Sequence, residues 1–215
     1  MVEPSDLRRP RKPAWQAGLF ASGLALLIPT VYGSLSPGYS QISNYISELG
    51  EHGSPYALWV NWAGFLPVGL LVFWFLFTAR GHLPSSDRAL WLLSATGWGY
   101  VISACFPCDA GCPYWGSTSQ LIHNLATAIA YPATAAGLAR MAGAFAQSPK
   151  WKKWYLFSLV CSAIVAVGFT SFLFPASQPF RGLTQRFAEG AIFGWIAVMS
   201  LALRGSTRRS ADSLD

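Results

Sequence analysis

The sequence predicts an all-α, polytopic integral membrane protein: a bundle of six transmembrane helices with both termini cytoplasmic. Three observations predict it. Only 11% of the 215 residues are charged and 53% are hydrophobic, with 10 Trp, 14 Phe and 8 Tyr. Soluble domains carry roughly 25% charged residues, so this chain has too few charges to clothe a soluble surface. Six stretches approach the ~20 apolar residues that cross a bilayer. The basic residues fall almost entirely on one side of those stretches. The counts argue against a soluble enzyme, a disordered tail or a DNA-binding module. The net charge of +6 therefore asks for a membrane explanation, and no nucleic-acid partner is expected.

The spans follow in order. The first covers 15–33, with Pro29 near its end. The second covers 57–79 and contains GLLVFWFLFTA. The third covers 89–106. The fourth, 119–145, is Ala-rich where the others carry larger side chains. The fifth covers 154–175 and the sixth 184–203. Six spans consume roughly 120 positions, and the short connections leave no soluble domain. The division is a basic tail at 1–14, a membrane domain at 15–203 and a second tail at 204–215. A cleaved signal peptide is the alternative for the first span, but the apolar stretch is long for one and no A-x-A site follows. Pro29, Pro67 and Pro132 are tolerable where neighbouring groups re-satisfy the backbone. Small residues such as Ala133, Ala135, Ala136, Gly137 and Ala139 let helices approach closely.

Orientation comes from Lys and Arg near span ends, which accumulate on the cytoplasmic side. Arg8, Arg9, Arg11 and Lys12 precede the first span. Arg80 and Arg88 lie between the second and third. Arg140, Lys150, Lys152 and Lys153 lie around the fourth-to-fifth connection, and Arg204, Arg208 and Arg209 follow the sixth. Only Arg181 and Arg186 of the 15 basic residues fall on the other side. The expectation is a multi-pass protein of the cell membrane with its basic face toward anionic headgroups. Trp15, Tyr56, Trp59, Trp91, Trp151 and Trp154 read as interfacial anchors. The outward loops are then 34–56, 107–117 and 176–183.

Ionisable groups at membrane depth are costly and usually have a partner or a task. Glu48 in SNYISELG, Asp109, His123, Arg186 and Glu189 all belong to the outward half. Gln120, His123, Asn124 and Thr127 recur at i, i+3, i+4 and i+7 on the fourth span, and Gln185, Arg186 and Glu189 cluster on the sixth. In the first loop, Ser47 adjoins Glu48; Ser43 would cap a short helix there and Gly50 would end it. One reading is an outward pocket. In it Arg186, with Ser47, Asn124, Gln185 and Glu189, binds an anionic or amphipathic ligand, and His123 with Glu48 or Asp109 serves as acid or base. The other is an internal network. There Arg186 is neutralised by Glu48, Asp109 or Glu189, and His123 bonds between helices.

Cys105, Cys108 and Cys112 sit in CFPCDAGC, and Cys161 lies alone in the fifth span. Facing an oxidising compartment, Cys108 and Cys112 are expected to form a disulfide across a tight turn rather than a zinc site. His52, His123, Glu48 and Asp109 formally compose a metal set, but nothing in their spacing demands it. The motifs call for no metal or cofactor, since no H-E-x-x-H, G-x-S-x-G, Walker or GxGxxG pattern occurs. Ser47 and Ser119 are the conceivable nucleophiles.

Three segments, PGYSQISNYISELGEHGSP, FPCDAGCP with the later HN pair, and QRFAEG, resemble the DUF998 family of six-span membrane proteins across essentially the whole chain. The resemblance implies a six-helix bundle with polar motif positions at Ser47, Glu48, Asp109, His123, Gln185 and Arg186; it implies no particular reaction. NYISELG followed by GSP is more distantly similar to a motif of the Frag1/DRAM/Sfk1 family, which is associated with lipid and membrane homeostasis. The chain also looks like intramembrane hydrolases of the alkaline ceramidase group in its Ser, Asp and His at span ends. Those need several His for zinc, where this chain has one inside the membrane. Three functions follow as expectations: binding of a lipid or other anionic or amphipathic ligand, hydrolase or transferase chemistry through His123, or a structural role in a membrane assembly.

Overall fold

The computed structural model describes residues 13–84 and 87–212. Among them are six principal helices: α1 (Pro13–Leu35), α2 (Ala57–Ala79), α3 (Asp87–Cys105), α4 (Thr118–Ala146), α5 (Tyr155–Ser171) and α6 (Arg181–Asp212). Each packs against its neighbours in sequence, and α1 closes on α6, so the helices form a ring in chain order. The tails 1–12 and 213–215, including Arg8, Arg9, Arg11 and Lys12, lie outside the described residues.

Four segments are long and apolar enough to cross a membrane: Trp15–Leu35, Ala57–Ala79, Lys152–Ser171 and Ala176–Arg204. The chain is thus an all-α, multi-pass membrane protein. The outer surface agrees, because Phe20, Leu27, Leu58, Phe77, Val167 and Leu201 are all exposed, far more apolar surface than a soluble monomer displays. Helices α3 and α4 fall short of the same apolar standard for a physical reason. They turn Thr96, Ser103, His123, Thr127 and Thr134 inward toward a shared cavity.

Local chemistry explains the irregular places. Helix α2 contains a π-helical stretch, Val60–Phe65, just before Pro67. Proline lacks an N–H and crowds the carbonyl four residues back, and a wider turn absorbs both. Helix α5 ends at Ser171, earlier than position 175, because Phe172 bonds back to Phe169 and a short 3-10 helix, Pro175–Phe180, turns the chain into α6. Small residues set the ring spacing. A Cβ at Gly69 of α2 would lie 2.7 Å from the Gly97 carbonyl of α3, so the two backbones pack closer than any larger residue allows.

One end of the ring is basic. There the Arg204 guanidinium lies 4.9 Å from the Trp15 ring, and Lys153 sits over Trp154. Trp151 is not an interfacial anchor as expected: it is buried and stacks on Phe145 at 5.5 Å. In this half the core gathers Phe75, Phe145, Met199 and Trp195, whose indole Nε1 donates to Ser158 Oγ. The opposite end carries the three long connections. They are knitted together: His52 N donates to the Cys108 carbonyl, Leu183 N to the Ile42 carbonyl, and Tyr114 Oη to the Phe172 carbonyl.

Candidate functional site

The first long connection builds the rim of the site. Its 3-10 helix, Ile46–Gly50, is capped by Glu48 rather than by Ser43: Glu48 Oε1 accepts the Tyr45 backbone N–H at 2.8 Å, and Oε2 accepts Asn44 Nδ2 at 2.6 Å. Gly50 does close this helix, packed directly under the Asn61 side chain. Asn61 of α2 donates to its carbonyl, and a Cβ would stand 2.2 Å from Asn61 Oδ1. Glu48 is only 7% exposed, and its partner is Arg181, at 2.8 Å. Arg181 also donates to the Ser43 carbonyl and lies over the Tyr45 ring. The sequence reading passed over Arg181. The one available signal was its isolation from the basic side.

Arg186 clamps the same loop. Its guanidinium donates to Tyr39 Oη at 2.6 Å and to the Asn44 and Gly182 carbonyls at 3.1 Å. Burial raises the Tyr39 hydroxyl above its ordinary pKa of 10.0, so it stays protonated and donates to the Tyr45 carbonyl. Arg186 is paired with neutral oxygens and does not line the cavity.

The second connection is tied down by Asp109, Gln120 and Asn124. Asp109 accepts the Ser117 N–H and hydroxyl, both at 2.7 Å, and these two bonds hold its carboxyl below the usual 3.8. Gln120 accepts the Asp109 N–H and donates to Asn124 Oδ1, while Asn124 donates to the Pro113 and Tyr114 carbonyls. Cys108 and Cys112 are joined as a disulfide with Cα atoms 5.1 Å apart. Glu51 accepts the Gly111 N–H beside it. Glu51, Cys108 and Cys112 are the only trio of metal-ligating atoms within 4.8 Å among the described residues, and the two sulfurs are bonded to each other. His52, His123, Glu48 and Asp109 are not gathered into one such set.

Beneath this cap lies a partly open cavity. Its rim holds Ile46, Ser47, Ser103, His123, Thr127 and Gln185. Deeper come Phe65, Tyr100, Tyr131 and Glu189, and the floor is Thr96 and Thr134, whose hydroxyls bond each other at 2.8 Å. From His123 to Thr134 the wall of α4 rises roughly 16 Å, which takes the cavity to about the middle of that helix. His123 is 5% exposed, and its Nδ1 lies 3.1 Å from the Phe106 carbonyl. A carbonyl only accepts, so Nδ1 carries the proton and Nε2 is left as an acceptor. Gln185 accepts the Ile46 N–H at 2.6 Å. Glu189 is 8% exposed and accepts Tyr131 at 2.5 Å and Tyr100 at 2.9 Å.

Each expected polar cluster is therefore split. On α4, His123 and Thr127 face the cavity while Gln120 and Asn124 face the loop. On α6, Gln185 and Glu189 face the cavity while Arg186 faces the loop. His123 has neither Glu48 nor Asp109 as a hydrogen-bond partner among the described residues. Tyr100 and Tyr131, which the sequence reading missed, are the groups that satisfy Glu189. Their only advance signal was Glu189 itself, a membrane-depth carboxylate that needs donors.

A family model described as "Protein of unknown function (DUF998)" matches residues 19–202. No curated protein and no solved structure matches the chain.

Proposed function

The chain belongs to the DUF998 family, whose function is unknown, and we propose that it is a cell-membrane protein that receives a lipid or other amphipathic ligand in this cavity. In this reading all six helices span the bilayer, both termini are cytoplasmic, and the capped end faces outward. The bilayer is then the protein's first partner. The observation that carries the reading is the cavity itself. Its wall mixes apolar residues (Phe65, Ala130, Ile192) with a few polar groups reaching to mid-helix depth, the kind of lining small-molecule sites carry. Polar surface at that depth is expensive unless something uses it.

Binding is favoured over hydrolase or transferase chemistry by the hydrogen bonds of the acids. Glu48 is committed to Arg181 and the 3-10 helix, and Asp109 to Ser117. Neither orients His123, and an acid–base pair needs hydrogen-bond reach. The test is ligand content. Protein extracted with its native lipids should carry a bound amphiphile by native mass spectrometry. Thr127→Phe, which fills the cavity from α4, should remove it while the protein keeps its melting temperature. An equal load on both proteins would sink the reading.

A further inference from the structure

Resting on that cavity reading, we infer that the ligand's head is a cation of the amine class, primary or quaternary, held by the Glu189 carboxylate between the rings of Tyr100, Tyr131 and Phe65.

The charge balance points there. Glu189 is the only carboxylate among the residues lining the cavity, and no Lys or Arg lines it. Its two hydrogen bonds come from neutral tyrosines. Among the described residues the ion pairs are Arg181 with Glu48 and Arg80 with Asp87, so neither includes Glu189. A buried carboxylate without a cation is costly. Tyr100 and Tyr131 occupy one acceptor site on each oxygen, and a carboxylate offers about four. Acceptor capacity therefore remains toward the space beside it. His123 is not the missing cation. It bonds the Phe106 carbonyl and stands about 12 Å of helix rise above Tyr131 on α4.

The surrounding rings suit the same ligand. Phe65 packs edge-on against Tyr100 at 5.6 Å, and both line the cavity with Tyr131. Aromatic faces attract ammonium groups, most strongly where water is excluded. Above them Ser47, Gln185 and His123 supply hydrogen-bonding groups at the rim. An anionic head meets the opposite situation. Arg186 and Arg181, the two nearby guanidiniums, are spent on the first loop. Their charge serves the rim's architecture, and the acidic group left to the cavity is Glu189.

Four single-chain probes of equal length decide this: octylamine, octyltrimethylammonium, octanol and octanoate. Each is titrated into the purified full chain in uncharged maltoside micelles and read by intrinsic Trp and Tyr fluorescence. Wild type should bind both cations at least about tenfold more tightly than octanol, the effect of one charge-assisted contact, and octanoate most weakly. Glu189→Gln, which keeps side-chain shape, should bring the cations to octanol's affinity. Arg186→Lys should leave the ranking intact. Equal affinity for all four probes, with all four lost in Thr127→Phe, would overturn the amine assignment and leave the cavity standing. Preference for octanoate would overturn it too. Binding of all four that survives in Thr127→Phe, or no binding at all, would remove the cavity reading and this inference together.

Discussion

Arg181 and Glu48 show how one pair of residues can decide a loop. The ion pair links the start of α6 to the 3-10 helix of the first connection, and Glu48 is at once salt-bridge partner and helix cap. Breaking such a pair leaves a buried charge uncompensated, which costs more than the pair contributes. Arg181→Met should therefore lower stability by about 2 kcal/mol, and Arg181→Lys should recover part of that in a thermal melt. Asp109 and Glu51, in neighbouring loops, pull in opposite directions with pH. Ser117 depresses the Asp109 carboxyl below 3.8, whereas burial raises the Glu51 carboxyl above 4.5 despite the Gly111 N–H. A depressed carboxylate contributes stability that is full above its unfolded value and is lost as pH falls through the folded one. A raised carboxylate carries a penalty that sets in as pH rises through its unfolded value and is complete above its folded one. Asp109→Asn should flatten the loss of stability below about pH 4, and Glu51→Gln should remove a loss that sets in above about pH 4.5. Melting temperatures across about pH 3 to 7 check both. Shifts of the same sign in the two variants would contradict the assignment.

At the scale of elements, α4 and α6 do two jobs each with adjacent stripes. Successive residues on a helix are about 100° apart, so Gln185 and Arg186 diverge into cavity and loop, as do His123 and Asn124. The loop is held so closely that Gly182 has no room to grow: a Cβ there would lie 2.2 Å from the Asn44 carbonyl. Gly182→Val should displace the first connection and cost about 2 kcal/mol or more. The same variant should loosen the rim, seen as faster hydrogen exchange at Leu183 N, which now donates to the Ile42 carbonyl.

For the molecule as a whole, the ring separates two ends. One has an aromatic core and most of the basic side chains; the other has three interlocked connections over a cavity. The proposed threading predicts that Ala110→Cys, in the exposed second connection, reacts with a membrane-impermeant maleimide added outside intact cells. With the exposed free Cys105 replaced by Ser in both proteins, Gln147→Cys, in the basic connection, should react only after the membrane is opened. The reverse pattern would invert the topology.

Membrane embedding, helix positions and the family were legible along the chain, because apolar runs of bilayer length and short ordered motifs are local signals. Helix α2 coincides with its expected span, and most other ends move by only a few residues. The polar residues that matter were legible as a set, since charge at membrane depth stands out against an apolar background. Their roles were not, because partnership depends on which helices become neighbours. Ring closure of α1 on α6 and the folding of the first connection over α6 brought Arg181, not Arg186, to Glu48. The same packing brought Tyr100 and Tyr131, from two other helices, to Glu189. Sequence determined that the chain carries a few expensive charges inside a membrane; tertiary structure alone decided which are neutralised by the protein and which is left facing a cavity.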